Sequence, residues 1–247
     1  MDLGLSGKRA IVAASSAGLG LASARALAAE GAIVVINGRD PGRVAAAAAL
    51  IPGSIPITGD VGTPESAAAF VNVAIERLGG VDILVTNAGG PPPGTFASTP
   101  LSAYAPALDL NLMSIVAMCQ QAVPHMQANG WGRVVAITSV SVRQPIGTLI
   151  LSNTARAGAT AFLKTLATEI AATGVTVNSV QPGLHATGRL TSLYGNDLSE
   201  VASNIPTRVV GDPADFGAVV AFLCSDYAKF ITGAAIPVEG GTSQGLQ

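Results

Sequence analysis

The sequence of 247 residues contains little charge: Asp, Glu, Lys and Arg make up only 11% of it, whereas 49% of the residues are hydrophobic. The formal net charge is −2 and no block of basic residues occurs, so the composition favours neither nucleic acid nor an anionic membrane as a partner. So apolar a composition excludes a disordered chain. Because so few charges cover the exterior, we expect part of the surface to face another subunit of a homo-oligomer.

Cysteine and long apolar runs are also scarce. The two cysteines, Cys119 and Cys224, are far apart and lack metal-ligand spacing, so we interpret them as reduced core thiols and predict no metal site. The apolar stretch from Val44 to Ile51 is much shorter than the roughly 20 residues that span a bilayer. The amino-terminal residues have no secretory pattern. We therefore expect no membrane span and a cytoplasmic location.

Short apolar runs alternate with segments of helical periodicity. The runs predicted to be strands buried on both faces are 9–13, 33–36, 55–58, 81–86, 133–138, 175–180 and 235–238. Helices are predicted over 19–30, 64–78, 112–128, 158–172 and 213–225. This alternation predicts an α/β protein with one domain over residues 1–247: a Rossmann-like, doubly wound parallel sheet of about seven strands with helices on both faces.

The turn after the first predicted strand, from Ala13 to Gly20, reads AASSAGLG and leads into an amphipathic helix. A strand, turn and helix in this order present unpaired backbone N–H groups and the positive end of the helix dipole to a pyrophosphate. Gly18 and Gly20 lack Cβ atoms, so the backbone can approach the phosphates. A merely tight turn is the alternative interpretation of this motif taken alone.

Further segments follow the other predicted strands in a consistent order. They are Asp60-Val61, Thr86-Asn87-Ala88-Gly89, Gln181-Pro182-Gly183 with Thr187, and Ile231-Thr232-Gly233 with Val238-Glu239-Gly240-Gly241. In these segments the chain resembles the short-chain dehydrogenase/reductase family over nearly its full length. The family's glycine-rich turn is Thr-Gly-x-x-x-Gly-x-Gly, and Ala13 and Ala14 stand at its first two places. The resemblance implies a nicotinamide cofactor held by Ala14, Ser16, Gly18, Leu19, Gly20, Asp60, Val61, Asn87, Ala88, Gly89, Pro182, Gly183 and Thr187.

The second predicted strand is followed by Arg39, where a site that prefers NAD would offer a carboxylate to the ribose. The planar, permanently charged guanidinium suits a 2′-phosphate, so we predict that NADP(H) is preferred over NAD(H). A solvated arginine paired with Asp40 is the alternative. Ala17 does not supply the second basic residue that NADP-using relatives often carry in the glycine turn.

The catalytic positions depart from the family. The resemblance assigns Asn111 to the helix asparagine that supports a water chain and Ser139 to the serine that hydrogen-bonds the carbonyl. The alternative for Asn111 is an amide that only forms hydrogen bonds within its helix, and the alternative for Ser139 is a hydroxyl that merely lies at a strand end. The positions of the family's tyrosine and lysine hold Ser152 and Arg156. A serine hydroxyl is a far weaker acid than a phenol, and arginine is a poor proton shuttle, although it can bind ribose hydroxyls or an oxyanion.

Other side chains are candidates for the missing proton donor or for substrate contacts. By position, His185 and Tyr194 are the best placed substitute donors, and Tyr194 falls in a probable substrate lid over 187–206. Substrate contact or lid packing is the alternative role for each. Ser141 and Arg143 are candidates for the substrate mouth, although a polar loop explains them equally well.

Two functional hypotheses follow. One is an NADP(H)-dependent carbonyl reductase or alcohol dehydrogenase resembling the 3-oxoacyl-acyl-carrier-protein reductases, with a small-molecule substrate. The other is a protein that still binds the nucleotide but has lost turnover and serves as a sensor or oligomer partner. Resemblance of fold does not separate them. The apolar segments 112–128 and 158–172 carry few charges, which favours a dimer or a tetramer.

Overall fold

The seven strands of the protein, in a computed structural model that describes residues 1–245, form one parallel sheet. They are β1 (Arg9–Val12), β2 (Ile33–Gly38), β3 (Ile55–Thr58), β4 (Ile83–Thr86), β5 (Gly132–Ile137), β6 (Val175–Pro182) and β7 (Ala235–Val238). Their order is β3-β2-β1-β4-β5-β6-β7, so the sheet grows first in one direction from β1 and then in the other from β4. This confirms the predicted doubly wound fold, whose crevice lies where the order reverses.

Helices connect the strands. They are α1 (Gly18–Ala29), α2 (Pro41–Ala49), α3 (Pro64–Leu78), α4 (Tyr104–Leu108), α5 (Ser114–Ala128), α6 (Ile150–Ile170), α7 (Gly188–Tyr194), α8 (Ser199–Ser203) and α9 (Pro213–Cys224). The predicted segment 158–172 begins too late, because α6 starts at Ile150 and already buries Leu151 and Ala155, whereas the placement of Ser152 to Arg156 at the start of this helix agrees with the structure. The alanine run of α2 was not predicted as a helix. Asp40 caps it by accepting a hydrogen bond from the Arg43 N–H, and alanine has the highest helix propensity.

The core consists of two apolar layers, one on each face of the sheet. Successive strand residues point to opposite faces, so Ile11 joins one layer whereas Ala10 and Val12 join the other. The first layer is completed by α3, α5 and α6, and the second by α1, α2 and α9. This arrangement explains why the strand sequences are continuously apolar rather than alternating.

One nearly continuous helix runs from Leu101 to Ala128 and carries a π-helical segment, Asp109–Met113, between α4 and α5. Its most apolar window has a mean hydropathy of 1.3, and 33% of that window is buried. Length and composition alone would allow this helix to cross a membrane, but a core helix passes the same test. Here α5 packs against α3 and α6 on one face of the sheet. The absence of a membrane span remains a prediction.

An ion pair fastens β1 to β4 at the amino end of the sheet. Arg9 donates from Nε and Nη2 to the carboxylate of Asp82 at 2.8 and 2.7 Å, and its backbone N–H donates to the same carboxylate at 2.8 Å. Burial by itself would raise the pKa of Asp82, but the hydrogen bonds and charge of Arg9 outweigh it and lower that pKa. The two strands that flank the crevice are thus held in register at the edge opposite the site.

Candidate functional site

The turn between β1 and α1 approaches the β4 loop too closely for a side chain. A Cβ atom added to Gly20 would lie 2.6 Å from the carbonyl oxygen of Ala14 and 2.8 Å from Nδ2 of Asn87. That amide donates to the same Ala14 carbonyl at 3.1 Å. Gly18 begins α1 with φ +57°, and Thr187 lies against it. The predicted glycine turn, Asn87 and Thr187 therefore meet at the carboxyl ends of the strands. This close backbone approach fits a dinucleotide.

Asn37, which was not among the predicted site residues, holds this turn in place. Its Oδ1 accepts from the Ala14 N–H at 3.0 Å, its carbonyl accepts from the Ser15 N–H at 2.8 Å, and its Nδ2 donates to the carbonyl of Gly59 at 3.0 Å. The side chain is completely buried. A buried asparagine at the end of an apolar strand is the sequence signal for such a role, because a buried amide must find partners.

Arg39 is exposed just beyond β2. Within residues 1–245 it forms no ion pair, and the carboxylate of Asp40 caps α2 instead. Ser16 lies beside the same strand end, since a Cβ on Gly38 would be 2.5 Å from the Ser16 hydroxyl oxygen. The guanidinium and a hydroxyl therefore project from neighbouring loops at the carboxyl end of β2.

The next segments of the chain that carry candidate residues hold Asp60, Val61 and Asn111. Asp60 follows β3 and accepts from the N–H groups of Val61 and Gly62, while the Val61 side chain is buried in the core. Asn111 lies in the π-helical segment, and its Nδ2 donates to the carbonyl of Gly89 at 2.9 Å. Its buried Oδ1 has no partner in the described part of the chain. Asn111 is thus joined to the Asn87-Ala88-Gly89 segment.

Arg156 is anchored to the end of β5. Its Nη1 donates to the carbonyls of Ile137 and Thr138, both at 3.0 Å, directly before Ser139. The side chain is 8% exposed, and burial, with a smaller contribution from the positive charge of Arg189, lowers the pKa of Arg156 to about 10. The guanidinium therefore stays charged at neutral pH. Arg156 therefore lies beside the strand end that precedes Ser139, and a catalytic role for the two residues stays a prediction.

Two hydroxyl groups near this anchor, those of Ser139 and Ser152, donate no hydrogen bond to a described protein group. Ser139 Oγ accepts from the Ser141 N–H at 3.1 Å and donates to no group among the described residues. Ser152 is 8% exposed, and its hydroxyl has no protein partner in residues 1–245. The threonines of α6 donate to the carbonyl four residues earlier, but the corresponding carbonyl for Ser152, that of Thr148, accepts from the Gly94 N–H instead. Both hydroxyls remain able to donate to a ligand.

Comparison with known proteins is consistent with this arrangement. A family model described as enoyl-(acyl carrier protein) reductase matches residues 13–243. Dehydrogenase/reductase SDR family member 4 of Oryctolagus cuniculus is 35% identical over 249 residues, covering 98% of this chain and 96% of the relative. The structure of L-sorbose reductase from Gluconobacter frateurii, complexed with NADPH and L-sorbose, has a TM-score of 0.92 and 33% identity over 100% of both chains. That of YwfH, an NADPH dependent reductase involved in bacilysin biosynthesis, has a TM-score of 0.93 and 25% identity, covering 98% of this chain and 100% of that one.

The chain belongs to the short-chain dehydrogenase/reductase family. Within this dehydrogenase/reductase, the segment after β6 closes the other side of the crevice. Pro182 and Gly183 follow Gln181 at the strand end, and the Gly183 N–H donates to the carbonyl of Val238 at 3.0 Å. A Cβ on Gly183 would lie 2.8 Å from Cα of Glu239, so the two carboxyl-terminal strands pack too tightly for a side chain there.

The two predicted substitute proton donors, His185 and Tyr194, lie where their surroundings do not favour proton donation. His185 is 6% exposed, its ring meets Phe216 edge-on at 5.2 Å, and its Nδ1 lies 3.3 Å from the Gly183 carbonyl. Burial lowers the pKa of His185, so the ring is neutral at pH 7. Tyr194 ends α7 with 56% of its surface exposed. The packing of His185 favours its structural alternative, and a proton-donating role for Tyr194 stays a prediction.

The two residues predicted to line the substrate mouth, Arg143 and Ser141, differ in their hydrogen bonding. The guanidinium of Arg143 donates to Gln181 Oε1 near the end of β6 at 2.8 Å and to the carbonyl of Ala235, the first residue of β7, at 2.7 Å. The Ser141 hydroxyl is buried and has no partner in the described residues. Helices α7 and α8 lie in the predicted lid, 187–206.

Arg189 of α7 was not predicted as a site residue. Its guanidinium lies against the loop after β4, because a Cβ on Gly90 would be 2.5 Å from its Nη1.

Replacing Ala14 by glycine should preserve or increase stability. Ala14 has φ +45°, a left-handed conformation that costs an L-residue about 1–2 kcal/mol. Glycine removes this strain but adds roughly 0.5–1 kcal/mol of backbone entropy to the unfolded chain. We therefore expect Ala14→Gly to change the free energy of unfolding by between zero and about +1.5 kcal/mol in urea titrations.

Ala46→Gly, on the exposed side of α2, is the matched control and should lose about 1 kcal/mol. Equal losses in both variants would contradict the strain at Ala14.

Proposed function

We propose that the chain is an NADP(H)-dependent oxidoreductase that interconverts a carbonyl and an alcohol with a non-standard catalytic set. The observation that carries this proposal is the convergence of the β1 and β4 loops at Gly20, where a single Cβ atom would collide with both. A backbone packed this closely at the strand-order reversal is what a dinucleotide site requires. The solved relative with NADPH and L-sorbose supports the reaction type.

The cofactor would lie along the carboxyl ends of the strands. The turn from Ala14 to Gly20 would face the pyrophosphate at the start of α1 with the N–H groups from Ser16 to Gly20, including that of Leu19, because those of Ala14 and Ser15 donate to Asn37. Asp60 and Val61 would face the adenine, and Asn87, Ala88, Gly89 and Arg156 would face the nicotinamide ribose. Pro182, Gly183 and Thr187 would border the nicotinamide. Arg39 and Ser16 would hold the 2′-phosphate, which favours NADP(H) over NAD(H).

Replacing Arg39 by alanine tests this preference. Loss of charged hydrogen bonds to a phosphate should weaken NADPH binding by roughly ten- to a hundredfold. NADH affinity should stay the same, because NADH lacks the phosphate. Both affinities are measured by the fluorescence of the reduced nicotinamide. Arg43→Ala, an exposed arginine on α2, should leave both unchanged. An equal effect of Arg39→Ala on NADPH and NADH would overturn the assignment.

The reaction would depend on hydrogen-bond donors rather than on a phenol. Bound NADPH would supply the hydride that reaches the carbonyl carbon. Ser139 and Ser152 would donate to the carbonyl oxygen through the hydroxyl hydrogens that no described group accepts. The buried charge of Arg156 would stabilise the developing alkoxide, and a preorganised donor of this kind contributes about 10²- to 10³-fold in rate. The proton would come from solvent through these hydroxyls, so we expect slow turnover.

The double variant Ser152→Tyr/Arg156→Lys tests whether proton transfer limits the rate. Restoring a positioned general acid should raise kcat by about 10²- to 10⁴-fold. NADPH oxidation is followed with β-ketoacyl thioesters, diketones and quinones, since the resemblance to 3-oxoacyl-acyl-carrier-protein reductases motivates the first of these. The single variants are controls, and thermal unfolding verifies that each is folded. A folded double variant that is no faster than the native chain would show that the native donors already suffice.

The second candidate function is nucleotide binding without turnover, as a sensor or oligomer partner. The absence of a phenol at position 152 favours it. Tight NADPH binding without oxidation on any substrate of the panel would support this alternative over the enzyme.

We also propose a cytoplasmic homo-oligomer, either a dimer or a tetramer. Only a third of the most apolar window of the Leu101–Ala128 helix is buried, and Leu101 and Phe230 are 87% and 99% exposed. Subunit association commonly buries exposed apolar side chains of this kind. Sedimentation velocity at micromolar concentration should therefore give a mass of two or four chains. A monomer across that range would contradict the assignment.

A further inference from the structure

Two guanidinium groups lie at neighbouring strand ends on the walls of the crevice. Arg156 is fixed to the end of β5 on one wall. Arg189 belongs to α7, and its Nη1 and Nη2 would lie 2.5 and 3.0 Å from a Cβ placed on Gly90, so it covers the beginning of the loop after β4. Because Thr86 of β4 pairs with Ala136 of β5, the two walls belong to neighbouring strand ends.

The loop beneath Arg189 leads to the predicted catalytic hydroxyls. Gly89 is tied to Asn111 through its carbonyl, at 2.9 Å. Five residues farther on, the Gly94 N–H donates to the Thr148 carbonyl at 2.8 Å, just before α6 and Ser152. The loop thus runs from Gly90, which Arg189 covers, to the segment directly before α6, the helix that carries Ser152. Arg189 therefore borders the substrate rather than the adenine half of the crevice.

Among the described residues, neither guanidinium has a protein carboxylate to neutralise it. In residues 1–245 the ion pairs join Arg9 to Asp82 and Arg133 to Asp226, and neither involves Arg156 or Arg189. Burial lowers the pKa of Arg156, and the positive charge of Arg189 lowers it further by a smaller amount. Two like charges brought together without a counter-ion form a site complementary to an anion.

We propose that Arg189, with the charge of Arg156 beside it, binds a carboxylate of the substrate, which makes this chain selective for oxo acids and hydroxy acids. The inference rests on the proposed function. A guanidinium presents a planar pair of N–H donors that matches the two oxygens of a carboxylate. The pyrophosphate of the cofactor is the other anion available, but the β1–α1 turn already provides backbone N–H groups for it. Arg189 is accordingly a specificity-determining residue.

The test compares three oxo acids, pyruvate, acetoacetate and phenylglyoxylate, with their methyl esters, which keep the carbonyl but lose the charge. Binding to the full-length chain loaded with NADPH is measured by saturation-transfer NMR and calorimetry, so that turnover is not needed. At least one acid should bind roughly tenfold or more tightly than its ester. Arg189→Gln should remove this difference and leave the ester and NADPH affinities unchanged, whereas Arg189→Lys should retain part of it.

Arg77→Gln is the matched control, because it removes the same charge from the last turn of α3, at the opposite edge of the sheet. It should leave all affinities as they are. Esters that bind as tightly as all three acids would overturn the proposal, and so would an Arg189→Gln variant that weakens NADPH as much as the acids. Failure of the native chain to bind NADPH would instead overturn the proposed function, and the acid and ester comparison is then made on the free chain.

Discussion

The parallel pairing of β1 with both β2 and β4 is the constraint on which the site depends. The register places Ala10 beside Val34 on one side and beside Ile83 on the other, so the three strands end at the same edge. The Arg9–Asp82 ion pair holds β1 and β4 at the amino end, and Asn87 joins them at the carboxyl end through the Ala14 carbonyl. With both ends fixed, the loops after these strands can only meet over the crevice. The candidate cofactor contacts of Gly18, Gly20 and Asn87 follow from that meeting.

The strands and the larger helices were predictable because burial on both faces leaves a continuous apolar signal in the sequence. The start of α6 was harder to predict, because its first turn mixes polar Ser152 and Asn153 with buried Leu151. The short helices of the predicted lid lack a long periodic pattern. Local sequence also could not show that Ala14 is left-handed, because the hydrogen bonds that fix this conformation come from Asn37, 23 residues farther along the chain.

The candidate site was predictable only where it follows strand ends. Ser139 and Arg156 come together because the Arg156 guanidinium reaches the last carbonyls of β5. Arg189 was missed, because its position over Gly90 depends on how α7 returns to the β4 loop, a contact between residues distant in sequence. His185 was a candidate donor by its position, with a packing role as the alternative, and Phe216 and the Gly183 carbonyl hold it in the packing of the second layer. Side-chain chemistry alone therefore ranks candidates poorly until the packing is known.

The divergence at positions 152 and 156 leaves the cofactor crevice intact, since its walls are made mainly by backbone atoms and by Asn37, Asn87 and Asn111. The most direct test of this account is a crystal structure of the chain with NADPH. The account predicts the pyrophosphate against the N–H groups from Ser16 to Gly20 and the 2′-phosphate beside Ser16 and Arg39. An empty crevice at saturating NADPH, or a nucleotide bound elsewhere on the chain, would contradict it.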